Sequence, residues 1–181
     1  QTCALPISRG LIGRGLGLKP GDEAYETVRL DFMRRYEAGM LVRTRLFDGM
    51  PEVLEALDAA GIRWGVISNK IERLVQPIVA GLGLAGRSVC AIGGDTTPHP
   101  KPHPAPLLHG AQLAGVNAAR CVYIGDDLRD IEAGRAAGMR TVAAAYGYCG
   151  ADHPPEQWGA DHLIQTPREL IAWLSLAPLQ R

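Results

Sequence analysis

Apolar and polar positions recur along this chain with two different periods, and the changes between them predict its elements. From Asp22 to Gly39, the residues Tyr25, Val28, Phe32 and Tyr36 are spaced by three and four, which puts them on one face of a helix that Asp22 can cap and Gly39 can end. The preceding stretch, RGLIGRGLGLKPG, is glycine-rich and reads as turn-prone. The front part is thus expected to be helical and separate from the rest of the chain. After the tract from Val42 to Gly49, a further helix has Pro51 in its first turn and Gly61 past its end.

From there the periods alternate. Ile62 to Ile67 reads as a strand and Glu72 to Leu82 as a helix; Ser88 to Ile92 is a short strand, followed after a Pro/His loop by a helix from Ala105 to Ala114. Arg120 to Ile124 is a strand leading to a helix that ends at Gly138, and Thr141 to Ala145 is another strand. A last strand, Asp161 to Ile164, precedes a helix opened by Thr166-Pro167-Arg168-Glu169, which combines a capping box with an early proline. Strands alternating with helices imply right-handed crossovers and a parallel sheet covered on both faces, an α/β fold. In such a sheet, ligands bind beyond the carboxyl ends of the strands.

Composition narrows the partners. With 19 Lys+Arg against 19 Asp+Glu in 181 residues, no whole-chain field recruits nucleic acid or anionic lipid, so any anion must be bound locally. No apolar run is long enough to cross a membrane and the start does not resemble a signal peptide, which makes cytoplasm the expected location. Cys3, Cys90, Cys121 and Cys149 lie far apart without metal-site spacing, and read as buried free thiols. Gln1 to Ile7, QTCALPI, resembles the translation of a sequencing-library adapter, so residues 1–7 are expected to be a non-native leader.

Three polar clusters follow three of the expected strands. Ser68-Asn69-Lys70 stands between a strand and a helix, where a hydroxyl and free backbone N–H groups can face an anion, or where Ser68 or Asn69 can simply cap the helix. Lys101 sits between two prolines in GGDTTPHPKPHPAP, either as a held point charge for phosphate oxygens or as a solvated loop lysine. The flanking His99 and His103 read as loop residues rather than ligands, because prolines break their spacing. The third cluster is Gly125-Asp126-Asp127-Leu128-Arg129-Asp130. One or two carboxylates at a strand end suffice for Mg²⁺, which keeps several waters. Helix capping accounts for Asp127 and partly for Asp130, but leaves Asp126 as the firmest metal ligand.

Taken in order, strand-Ser, loop-Lys and strand-GDxxxD resemble the second, third and fourth motifs of the haloacid dehalogenase superfamily. VISNK, PKPHPAPLL, YIGDDLRDIEAGRAAGM and YGY with WGAD look like its phosphoglycolate phosphatase branch, and N-acetylmuramic acid 6-phosphate phosphatases share several of these segments. The resemblance implies a Rossmann-like core at 47–181 and the remnant of a small α-helical cap at 8–46. It implies a Mg²⁺-dependent phosphatase for a small phosphorylated metabolite, with phosphoglycolate as the leading substrate and a sugar or aminosugar 6-phosphate as the alternative. Ser68 and Lys101 would be catalytic, and both would bind substrate together with Asn69 and Lys70. Asp126 would bind Mg²⁺, supported by Asp127 or Asp130.

One departure stands out. Members of that family open with a strand ending in D-x-D-G-T, whose first Asp attacks phosphorus and whose second is acid and base, and this sequence contains no D-x-D. Phe47-Asp48-Gly49 follows no apolar strand and aligns with the hinge between cap and core, so Asp48 is not expected to be a nucleophile. The core is thus expected to lack its first strand, and the chain as written to be inactive. A non-catalytic phosphate-binding module is the alternative from another class. Gly93-Gly94 makes no G-x-G-x-x-G, which argues against a nucleotide-binding oxidoreductase.

Overall fold

The computed structural model describes residues 5–150 and 153–176. Two helices come first, α1 (Leu5–Leu16) and α2 (Tyr25–Gly39), followed by α3 (Met50–Ala59). Strands and helices then alternate: β1 (Val66–Ile67), α4 (Glu72–Gly81), β2 (Ala91–Ile92), α5 (Ala105–Leu113), β3 (Val122–Gly125), α6 (Leu128–Ala136), β4 (Arg140–Ala144), β5 (His162–Ile164) and α7 (Glu169–Trp173). No helix among the described residues is long and apolar enough to cross a membrane.

Among the described residues all strand pairs are parallel, as alternation predicts, but they form two sheets, β1-β2 and β3-β4-β5. Successive strand residues face opposite ways. Val66, Val122 and Ile124 pack on one side against Val53, Leu54 and Leu57 of α3, Val75 and Val79 of α4 and Leu170 of α7. Ile67 and Tyr123 pack on the other, against Leu107 of α5 and Ala133 of α6. Both sheets are thus covered on both faces by the same layers of helices.

β1 uses one edge for β2, through Val66 N–H to Cys90 O and Ser68 N–H to Ile92 O, both 2.9 Å. Its Ile67 carbonyl turns the other way and accepts the Tyr123 hydroxyl of β3 at 3.2 Å. A whole tyrosine side chain therefore spans from β3 to β1, where directly paired strands would stand about 4.8 Å apart. No backbone ladder joins β1 to β3 among the described residues.

Several local expectations change. The glycine-rich front is helical rather than turn-like, because α1 packs on α2 and buries Ile12. Asp22 does not cap α2; its carboxylate accepts the Lys19 N–H at 2.7 Å and closes a turn ahead of the helix. The run from Ile62 shortens to a two-residue strand with a single pairing neighbour among the described residues. Pro51 and Gly61 sit where expected, the latter with φ +65°. Glu169 reaches back to the Thr166 hydroxyl at 3.0 Å and the Gln165 N–H at 3.2 Å, which is the expected capping role with shifted partners. Cys90, Cys121 and Cys149 are free but half-buried rather than buried, and Cys3 lies outside the described residues. Of the expected leader, residues 1–4 also lie outside them, and Leu5 to Ile7 open α1.

Candidate active site

The ends of β1 and β3 bring the three clusters together. Lys101 is the centre: its ammonium lies 2.6 Å from Asp130 Oδ1 and donates to the Tyr123 hydroxyl at 2.9 Å and to Ile67 O at 3.1 Å. It is not the solvated loop lysine that its local sequence allows, since only 9% of it is exposed. Asn69 fixes the loop that carries it. The Asn69 amide nitrogen donates to Lys101 O at 2.8 Å, and its oxygen accepts Lys101 N–H at 2.9 Å. Both ends of that amide are engaged by the lysine backbone, so Asn69 positions Lys101.

Asp130 reaches the lysine because Gly125 leaves room. A Cβ on Gly125 would lie 2.3 Å from Asp130 Cβ and 2.4 Å from its carboxylate, so a side chain there would push Asp130 off the strand end. Burial pushes the Asp130 carboxyl above its ordinary value, against the pull of the Lys101 charge. Burial also pushes the Tyr123 phenol well up, helped by the Asp130 and Asp126 charges, so it stays a neutral donor and acceptor.

Asp127 takes the capping role. Its Oδ1 accepts Arg129 N–H at 2.9 Å, and the Arg129 guanidinium grips both oxygens at 2.8 and 2.6 Å. These hydrogen bonds from Arg129 hold the carboxyl below its ordinary value. Asp126 points elsewhere: Oδ2 accepts Tyr148 N–H at 2.8 Å, and a Cβ on Gly147 would lie 2.2 Å from Asp126 Cβ. The glycine of YGY is therefore the seat of Asp126. Half-buried Tyr146 beside it has its phenol raised to about 12, by burial first and the Asp126 charge second.

Of the expected Mg²⁺ ligands, Asp130 pairs with Lys101 and Asp127 with Arg129, and no group of three or more His, Cys, Asp or Glu converges on one point among the described residues. Asp126 offers a half-buried carboxylate whose hydrogen bond among the described residues comes from one backbone N–H. That fits an ion that takes one or two carboxylates and keeps water.

Ser68 accepts Lys70 N–H at 3.1 Å, so it makes the local turn that its capping alternative foresees, while its hydroxyl hydrogen has no acceptor among the described residues. The Lys70 ammonium donates to the Tyr36 hydroxyl of α2 at 2.6 Å and lies 4.4 Å from that ring's centre. His103 Nδ1 accepts Ala105 N–H at 3.1 Å, at the start of α5, with the His99 ring 4.6 Å away. Asp48 is exposed in the turn before α3, while its neighbour Phe47 packs edge-on against Tyr146. Sequence reasoning misses Tyr123 and Tyr36, each of which counts there only in an apolar pattern. A phenol on a buried face needs a hydrogen-bond partner, and that is the available signal.

The chain is similar to known proteins in sequence and in fold. Residues 16–144 match the family model described as haloacid dehalogenase-like hydrolase. The N-acetylmuramic acid 6-phosphate phosphatase of Pseudomonas aeruginosa is 41% identical over 170 residues, covering 94% of this chain and 75% of that protein. The phosphoglycolate phosphatase of Xanthomonas campestris is 48% identical over 153 residues, covering 83% and 69%. A crystal structure described as a predicted phosphoglycolate phosphatase from Haemophilus somnus superposes with a TM-score of 0.81 at 26% identity, over 92% of this chain and 73% of that one. A family match over most of the length, with relatives of this identity, settles the kinship: the chain belongs to the haloacid dehalogenase-like hydrolase family.

Proposed function

We propose that this chain carries the phosphate- and Mg²⁺-binding side of a phosphomonoester hydrolase acting on 2-phosphoglycolate. The buried Lys101–Asp130 pair at the end of β3, with Asp126 and Ser68 beside it, is the observation that carries the reading. A cation held in a dry site and aimed at a strand end stabilises charge on phosphoryl oxygens without reorganising during reaction. Ser68 donates its hydroxyl to one such oxygen. Asn69 keeps Lys101 in register, and Tyr123 fixes the direction of its ammonium. Asp126 would hold Mg²⁺, which supplies charge neutralisation at the phosphoryl group when bound.

None of the three aspartates is placed to attack phosphorus. Asp130 is buried against Lys101, Asp127 is gripped by Arg129, and Asp126 serves the metal in this reading. We place the attacking carboxylate on a strand that enters between β1 and β3, where the Ile67 carbonyl, Tyr123 and Lys101 converge. The phosphoryl group passes from substrate to that carboxylate and then to water. The front helices, 8–46, are read as cap, and 47–181 as core.

The 48% identity to the Xanthomonas phosphoglycolate phosphatase supports phosphoglycolate as substrate. A second reading, N-acetylmuramic acid 6-phosphate, is favoured by the longer match to the Pseudomonas phosphatase. The phosphate site itself is tested by ³¹P NMR titration of the chain with inorganic phosphate and Mg²⁺. The reading expects saturable binding that Lys101→Met abolishes; binding unaffected by that change would remove Lys101 from the site.

A further inference from the structure

The cations around the strand ends are not equivalent. Lys101 is paired with Asp130, Arg129 with Asp127, and Arg73 at the start of α4 with Glu37 of α2. Lys70 forms no ion pair among the described residues. Its ammonium is held instead by a neutral group, the Tyr36 phenol, which both accepts a hydrogen bond and lies beneath the charge. The ring is itself stacked on Phe32, with centroids 6.5 Å apart. A tyrosine can orient an ammonium without neutralising it, and that leaves a half-buried positive charge with donors to spare.

The backbone fixes where this charge stands. Lys70 N–H binds the Ser68 hydroxyl, and Lys70 O accepts Gly94 N–H at 2.8 Å, so the residue is tied into the loop that presents Ser68. The unpaired charge is thus one lysine side chain from the Ser68 hydroxyl, on the side facing α2. We infer that Lys70, positioned by Tyr36, recognises a carboxylate on the substrate, so that the site selects phosphomonoesters bearing a second anionic group. The inference rests on the phosphate-site reading above. Because Tyr36 belongs to α2, the same contact joins the front helices to substrate choice.

The experiment compares 2-phosphoglycolate with ethyl phosphate, the same ester with a methyl group in place of the carboxylate. Binding of each to the chain is measured by calorimetry with Mg²⁺ present. A charge-assisted hydrogen bond to the carboxylate predicts at least about tenfold tighter binding of phosphoglycolate. Lys70→Met should erase most of that preference while weakening ethyl phosphate less than about threefold, and Lys70→Arg should retain most of it. Tyr36→Phe, which keeps the ring and removes the hydroxyl, should reduce the preference by about threefold without changing the ethyl phosphate affinity. Equal binding of the two esters by the unaltered chain, or a preference that survives Lys70→Met, overturns the inference and leaves the phosphate site standing. Failure of the unaltered chain to bind either ester overturns the site reading and the inference with it.

Discussion

Lys101 Nζ lies 2.6 Å from Asp130 Oδ1, with 9% and 8% of the two side chains exposed, so the charge at the centre of the site is a buried ion pair. Removing one member strands the other. Lys101→Met should destabilise the fold by about 3–5 kcal/mol because Asp130 is left buried without its partner. The double change Lys101→Met with Asp130→Leu should recover much of that loss. Chemical denaturation of the two single variants and the double variant checks this, and additive losses would mean that the pair is not coupled.

Asp126→Asn is expected to weaken Mg²⁺ binding at least about tenfold, since a neutral amide does not replace the charge of a carboxylate at a hard cation. Asp127→Asn should change it far less, because the Asp127 oxygens already serve Arg129 and the start of α6. Calorimetric titration with Mg²⁺ in the presence of phosphate measures both. Equal losses in the two variants would return Asp127 to the metal site.

Much of the fold and the site can be read from residue order. Alternation locates the five strands of the described residues within a few positions, and parallel pairing is implied by the intervening helices. Ser68, Lys101 and Asp126 stand out because each lies between a strand and a helix. What the sequence hides is which polar groups use one another. Asn69 and Lys101 are 32 residues apart, and their reciprocal hydrogen bonds depend on how two loops pack. Asp130 reads as a helix-terminus residue or metal support, because nothing local announces that Gly125 opens a path to Lys101. Tyr36 lies in the helical pattern of the front part, and its meeting with Lys70 is a contact between separate elements.

A pH dependence arises at the end of the sheet opposite the site. Asp161, just before β5, accepts the Thr141 N–H at 2.7 Å and its hydroxyl at 2.9 Å, at the start of β4. These bonds hold the Asp161 carboxyl below its ordinary value. A carboxyl lowered on folding adds stability above its unfolded pKa, and that contribution is lost as pH falls through the folded value. Asp161→Asn should therefore flatten the acid side of the stability profile and matter less once the carboxylate is protonated. Thermal melts of both proteins from neutral pH to about pH 3 would show it, and parallel profiles would contradict it.

The attacking group is the part of the proposed reaction that the described residues do not supply. Ser68, Lys101 and Asp126 can hold and neutralise a phosphoryl group, but positioning does not replace a nucleophile at in-line distance. Phosphate release from 2-phosphoglycolate with Mg²⁺ should be measured for residues 8–181 alone and for the same residues preceded by a strand ending in D-x-D-G-T. Turnover is expected only in the extended protein, and should be lost when the first aspartate of that motif becomes Asn. Comparable turnover by the two proteins would contradict the proposed division of labour between phosphate site and nucleophile.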